Sequence, residues 1–358
     1  MTFSLSLRER LARARSDLKA GIPIAVKSAG ETTVALSVET LDPEKLSLFK
    51  ALPNHSLAIT DWRAKALSLG AYDTDLTRIT PHHGAPLNWY QAMADPARDL
   101  DHPMKGPFNV ARDGDPMPAR IAIRLSKQAG LLPCVLTAQA EASDIDGLTT
   151  IDADEARKEL LETPEIMQVS QAPVPLKFSK DAHVHVFRTE DGSEHYAIAI
   201  GNIHQGEDAL AVRLHSACFT GDLIGSLKCD CGAQLNTALA EMGRINRGVL
   251  LYLNQEGRGI GLANKMRAYS LQHIGFDTVE ANHRLGFEDD ERNFQIGAEL
   301  LKTLGVTKIK LMTNNPAKID RMQAAGITVT ERIPLKVGET EENKSYLETK
   351  AKRSGHLL

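Results

Sequence analysis

Apolar positions along this chain switch repeatedly between a helical and a strand period. Leu7, Leu11 and Leu18 recur at helical spacing among charges over 6–20, and Gly21-Ile22-Pro23 stops that helix. Ile22–Val26 then reads as a short buried strand, with Val34–Val38 and Ser56–Thr60 as further strands. Residues 80–118 are rich in Pro, Gly, Asp and His and predict long irregular stretches. Arg120–Leu131 returns to helical spacing, Pro133–Ala138 reads as a strand, and Asp152–Glu162 as an exposed helix. Gln171-Ala-Pro-Val-Pro175 is the best linker, which places a boundary near 172.

Beyond it, Val184–Phe187 and His195–Ile200 flank Glu190-Asp-Gly-Ser193 as a hairpin. Ala211–Ser216, the continuous apolar run Val249–Leu253, Ile309–Met312 and Ile327–Ile333 predict strands. Gln234–Ile245, Gly261–Ile274, Phe294–Leu304 and Ala317–Ala325 predict helices, and Lys350–His356 a polar tail. This alternation implies an α/β class, with a mixed sheet covered by helices in a C-terminal domain and a second α/β domain before it. The expected domains are 1–172 and 173–358.

Composition narrows the function. The 358 residues are 42% hydrophobic and 25% charged, with a net charge of −4, which argues against a nucleic-acid-binding surface. No apolar run approaches the roughly 20 residues that span a bilayer, and charges fill the N-terminus where a signal peptide is apolar. Four cysteines in so long a chain do not make a disulfide framework. A cytoplasmic, reducing setting is expected, with neither nucleic acid nor membrane as partner.

Three of those cysteines fall within Arg213–Cys231: Cys218, then Cys229 with ten residues between them, then Cys231. Three thiolates leave one position of a tetrahedral zinc open, the catalytic arrangement. The plainer alternative is three reduced cysteines packed as small hydrophobes, which the polar neighbours Asp222, Lys228 and Asp230 disfavour. Three more segments stand at predicted strand or helix ends: Asn254–Leu262, glycine-rich and entering a helix; Thr278–Arg292, dense in acids and arginines; and Thr313-Asn-Asn-Pro-Ala-Lys318. Any one alone reads as a solvated loop, but several at successive strand ends read as a ligand site. His82-His83 and His183-x-His185 read as solvated or strand-face imidazoles rather than metal ligands.

Two resemblances follow from these residues. Asp17–Val26 and Ala122–Leu132 resemble the 3,4-dihydroxy-2-butanone 4-phosphate synthase domain. That family carries a dense acidic run after its first strand. Here Lys27-Ser-Ala-Gly-Glu-Thr-Thr33 has one carboxylate, and Gly114-Asp-Pro-Met-Pro118 replaces the family's second motif. A hard divalent cation needs more oxygen ligands than that, so residues 1–172 are expected to be a degenerate, inactive relative. The remainder resembles GTP cyclohydrolase II through Arg213–Ser216, Cys218–Asp222, Cys229–Gly232, Gln255–Leu262, Asn264–Tyr269, Asp277–Asn282, Leu285–Phe287, Asp290–Arg292, Leu311–Pro316 and Gly355–Leu358, all in family order.

The second resemblance implies zinc on Cys218, Cys229 and Cys231. It implies GTP contacts from Arg213, Gln234, Glu256, Arg258, Thr278, Thr313 and Lys318, and catalysis by Tyr269, Asp290 and Arg292. It further implies magnesium on the triphosphate and a homodimer. The family's role for Arg292 is nucleophile at the α-phosphorus, with Asp290 accepting its proton. Because arginine stays protonated, charge stabilisation is the better chemical assignment. Ala217 and Ala317 depart from the family, the latter where a basic residue often stands. A uracil-catabolism relative and a non-catalytic zinc or nucleotide-binding protein are the competing readings. The intact Tyr269, Asp290 and Arg292 favour the cyclohydrolase.

Overall fold

A computed structural model of the chain describes residues 4–206, 208–355 and 357. They pack as two compact units: residues up to Glu162 with Ile260–Glu291, and Thr163–Gly259 with the chain from Arg292 onward. A boundary near 172 divides the chain along its length, whereas packing carries one later segment into the first unit.

The first unit holds β1 (Ile24–Ser28), β2 (Glu31–Ser37), β3 (Ser56–Thr60), β4 (Leu76–Thr80), β5 (Asn109–Val110), β6 (Cys134–Gln139) and β7 (Thr150–Asp152). They form one mixed sheet in the order β5-β4-β3-β6-β2-β1-β7, antiparallel except where β7 runs parallel to β1. The β1–β2 turn, Ala29-Gly30, has φ of 50° and 83°, the positive values that match hairpin twist. Helix Leu7–Lys19 starts at a reciprocal cap between Ser6 and Glu9 and buries Leu11, Ala14 and Leu18. Helix Met117–Gln128 buries Ile121, Ala122 and Leu125 in the same core. Leu271, Leu285 and Phe287 of the later segment join that core.

Several expectations change in this unit. Residues 80–118 are not irregular throughout: Leu87–Ala94 is a helix that buries Trp89, Tyr90, Ala92 and Met93. The Pro-rich flanks mask its apolar face. Thr278–Arg292 is not a continuous loop, because Asp277 caps a helix over Thr278–Arg284 in a box with Glu280. Helix Ala153–Glu159 buries Ala153 and Ala156 rather than lying fully exposed.

The second unit holds β8 (Ile166–Pro173), β9 (Ala182–Thr189), β10 (Glu194–Ile200), β11 (Leu210–Ser216), β12 (Gly248–Leu253), β13 (Lys308–Met312) and β14 (Thr328–Ile333), ordered β14-β13-β11-β12-β10-β9-β8. The first four of that order are parallel, the rest antiparallel. The expected linker is a correction: Gln171–Pro173 closes β8, which pairs with β9. An exposed edge strand tolerates Pro173 because it has a side without ladder partners. The run in β12 is continuously apolar because both its faces are covered. Val249, Leu251 and Leu253 pack with Leu300 and Leu301 of helix Gln295–Thr303, and Leu250 with Ala238 and Met242 of helix Cys231–Ile245.

The expected polar tail is mostly helix, Lys344–Ser354, while His356 lies outside the described residues. Among the described residues no helix is long and apolar enough to cross a membrane.

Candidate active site

β11, β12 and β13 are neighbours and parallel, so the loops leaving Ser216, Leu253 and Met312 emerge at one sheet edge. That is where ligands gather in sheets of this kind. β11 turns alternate side chains to one face, which presents Arg213 and His215, both buried. Cys218 follows directly, a single π turn (Phe219–Leu223) bends the chain, and Cys231 opens the next helix.

The three sulfurs all lie within 4.8 Å of one another, and Cys218 Sγ is 3.8 Å from Cys229 Sγ. Two thiolates on a tetrahedral zinc with bonds of about 2.3 Å stand about 3.8 Å apart. Gly221 makes room for them: a Cβ there would lie 2.8 Å from Cys229 Sγ and 3.2 Å from Cys218 Sγ. Its N–H also points at Cys218 Sγ, 3.3 Å away. Cys218 and Cys229 are buried while Cys231 is half-buried, and none of the three is in a disulfide. Hydrogen bonding to Cys218 leads the causes that raise the Cys229 pKa; a divalent cation would remove that penalty. The donor set, spacing and cradle fit zinc.

Asp222 organises the surroundings. It accepts from His215 Nε2 at 3.1 Å, from the Tyr252 hydroxyl at 2.9 Å and from the Cys218 N–H at 3.0 Å. Burial lowers the His215 pKa despite this carboxylate. Burial, then Asp222, raises that of Tyr252. Arg213 donates to the Met312 carbonyl at 2.9 Å and to Gln234, which in turn donates to Asp230 at 2.7 Å. Burial brings the Arg213 pKa down to about 10, so it stays cationic at neutral pH. Arg213 Nε, His215 Nδ1 and Gln255 Oε1 are buried without a hydrogen-bond partner, atoms to which a ligand could bond.

In the loop after β12, Glu256 accepts from the Phe219 N–H at 2.6 Å and the Gly257 N–H at 3.2 Å. Gly257 and Arg258 both adopt left-handed backbone, with φ of 64° and 62°. For Arg258 this is a strained position of the kind that clusters at ligand clamps. After β13, Thr313 Oγ1 accepts from the Asn315 N–H at 3.0 Å, Asn315 caps Ala317 at 3.0 Å, and Lys318 Nζ reaches the Leu214 carbonyl at 3.1 Å. Arg292 donates to Ser216 Oγ at 3.1 Å. Three cations surround one ring: Arg292, Arg321 and Lys318 lie 4.7, 4.8 and 5.3 Å from the Phe294 centroid.

The second unit therefore brings together Cys218, Cys229, Cys231, Arg213, Gln234, Glu256, Arg258, Arg292, Thr313 and Lys318. Tyr269, Thr278 and Asp290 belong to the first unit. There Tyr269 lies on helix Gly261–His273 under Lys265 Nζ at 5.6 Å. Thr278 Oγ1 accepts from Gln272 at 3.3 Å, and Asp290 sits half-buried in the loop after Phe287. Sequence reasoning passed over Asp222, Tyr252 and Arg321 as site residues. Asp222 had a signal, since it closes the Cys218–Asp222 motif; Arg321 had one in its position a helical turn after Ala317.

A family model described as GTP cyclohydrolase II matches residues 167–334. A GTP cyclohydrolase-2 of Azospirillum brasilense is 40% identical over 97% of this chain and 93% of its own length. One from Haemophilus influenzae (strain PittEE) is 50% identical over 54% of this chain and 90% of its own. A solved structure, RibBX of A. baumannii, described as a two-domain 3,4-dihydroxy-2-butanone 4-phosphate synthase, covers 92% of this chain and 99% of its own at 17% identity and a TM-score of 0.29. The Azospirillum relative matches both halves nearly end to end, and the family model spans the three thiols and the loops around them. On those grounds this chain belongs to the GTP cyclohydrolase II family.

Proposed function

We propose that the protein hydrolyses GTP to 2,5-diamino-6-ribosylamino-4(3H)-pyrimidinone 5′-phosphate, formate and pyrophosphate, the first step of riboflavin biosynthesis. The observation that carries this is the three-thiol cradle at the sheet edge where Arg213, Arg292 and Lys318 also converge. Cys218, Cys229 and Cys231 would hold one zinc, which would supply Lewis acidity toward water at neutral pH. Asp222 keeps the cradle in shape by bonding Cys218, His215 and Tyr252 at once.

The remaining residues divide between base and phosphates. Arg213, with its unpartnered buried Nε, and Gln234 offer donors to the substrate, as do Arg258 and Thr278, while Glu256 accepts. Arg292, Lys318 and Arg321 around Phe294, with Thr313, form the cationic face for a triphosphate carrying magnesium. Arg292 stabilises charge developing at the α-phosphorus, Asp290 accepts a proton, and Tyr269 completes the catalytic set. The protein works as a homodimer in the cytoplasm. Residues 1–172 no longer make dihydroxybutanone phosphate. The test is purified protein with GTP and magnesium, following formate and pyrophosphate together. Equal release of both supports the reading, and release of neither overturns it.

A further inference from the structure

The segment Ile260–Glu291 carries Tyr269 and Asp290 but packs with the N-terminal residues, and the contacts are specific. Glu39 Oε1 accepts from Arg267 Nη2 at 2.9 Å, two residues before Tyr269. The Thr60 hydroxyl donates to the Gly286 carbonyl at 2.8 Å. Gly286 has φ of 87°, and a Cβ there would lie 2.8 Å from both Pro133 Cγ and Thr60 Oγ1, so this end of the loop is held without slack. At the other end Trp62 Nε1 donates to Glu288 Oε2 at 2.9 Å, His283 Nε2 lies 2.6 Å from Asp289 Oδ1, and a lysine anchors Glu291, the residue next to Asp290. Lys127, on helix Met117–Gln128, places Nζ 2.6 Å from Glu291 Oε1 and 5.8 Å from the ring centroid of fully buried Phe287. The same Glu291 oxygen accepts from the Glu288 N–H at 2.9 Å. Glu288–Glu291 is thus closed on itself and pinned at its last residue, beside Asp290. Lys127 and Glu291 are 18% and 20% exposed, so solvent screens the pair only partly.

We propose that Lys127 is a positioning residue for the cyclohydrolase reaction: through Glu291 it fixes the loop that presents Asp290. The N-terminal half thereby acts as the scaffold of a catalytic segment. The proposal rests on the reading above that Asp290 takes part in GTP turnover. A displacement of about 1 Å at a reacting group costs up to about a hundredfold in rate, so a loosened loop lowers turnover without removing substrate contacts.

The experiment uses the full-length protein with its zinc. Lys127→Met is expected to lower kcat for formate release about tenfold or more, with KM and zinc content near parental. Lys127→Arg, which keeps the charge, restores most of kcat. Glu291→Gln is expected to match Lys127→Met, and the double variant to lose no more than either single one. It serves equally should Lys127→Met fold poorly. Hydrogen–deuterium exchange over 286–291 rises in Lys127→Met and falls back in Lys127→Arg. Parental kcat in both Lys127→Met and Glu291→Gln, or fully additive losses in the double variant, overturns the positioning role. Asp290→Asn with parental turnover instead overturns the assignment of Asp290 itself.

Discussion

Cys218 Sγ stands 3.8 Å from Cys229 Sγ across the space that Gly221 leaves open. Two thiols so placed repel one another as thiolates and share a cation well. Metal analysis is therefore expected to find one zinc per chain. Cys229→Ser lowers both metal content and formate release, and Gly221→Ala does the same by pushing a methyl into the sulfurs. Full zinc occupancy after replacing all three cysteines with serine would show the assignment to be wrong.

Ring opening and pyrophosphate release should separate genetically. Cys231→Ser leaves Arg292, Lys318 and Arg321 in place, so it still releases pyrophosphate while the product keeps an intact imidazole ring. Arg292→Ala removes charge stabilisation at phosphorus, which is worth about 3 kcal/mol, or a hundredfold in rate. If attack at phosphorus gates the ring chemistry, this variant loses formate release too; if the steps are independent, it accumulates a ring-opened triphosphate. A mass-spectrometric product profile reads both. Parental formate release from Cys231→Ser, or parental pyrophosphate release from Arg292→Ala, sinks the division of labour.

Arg321 lies exposed beside the Phe294 ring, one helical turn beyond Ala317. In the function proposed above, it would supply the positive charge that Ala317 lacks. Arg321→Ala is expected to raise KM for GTP roughly fivefold, the worth of about 1 kcal/mol for an exposed charge pair, and the effect shrinks at high salt. An unchanged KM at low ionic strength removes Arg321 from the site.

His195 is buried, and its Nδ1 accepts from the Asn254 N–H at 3.0 Å. Burial lowers its pKa below the ordinary 6.5. Between the lowered folded value and 6.5 the unfolded chain binds a proton that the folded chain refuses, so stability falls as pH falls through that window. His195→Asn keeps an acceptor and removes the titration. The gap between parent and variant in urea midpoint should change as pH falls below 6.5. A constant gap contradicts the linkage.

Full-length protein with magnesium and ribulose 5-phosphate is expected to yield no dihydroxybutanone phosphate. The turn after β1 is a bare two-residue hairpin, with Ser28 facing Glu31 and no room for a run of acids. Detectable product would restore the synthase activity.

The strands and helices around the thiols were legible because β11 and β12 are buried on both faces and leave unbroken apolar runs, and because the motifs fall at their ends. Asp222 was not, since its role comes from three partners that folding brings to one carboxylate. β8 gave no alternation because nearly all its side chains are exposed on both faces. Periodicity in Gly261–His273 showed that the helix has an apolar face, yet nothing in that spacing names residues more than a hundred positions earlier as the partners. The lysine opposite Glu291 likewise lies in a helix that reads simply as amphipathic.

The path of the chain also sets an order of assembly during synthesis. Leu285 and Phe287 belong to the core that Leu18 and Val26 begin, so the first unit leaves the ribosome with a gap in its interior. At roughly 5–20 residues per second, the segment that fills it is made on the order of ten seconds later. During that interval the apolar surface meant for Phe287 faces water, and the strands of the second sheet from β8 to β12 emerge before it is covered. A nascent chain stalled before residue 285 should therefore be far more sensitive to protease in its N-terminal half than one stalled well after residue 291.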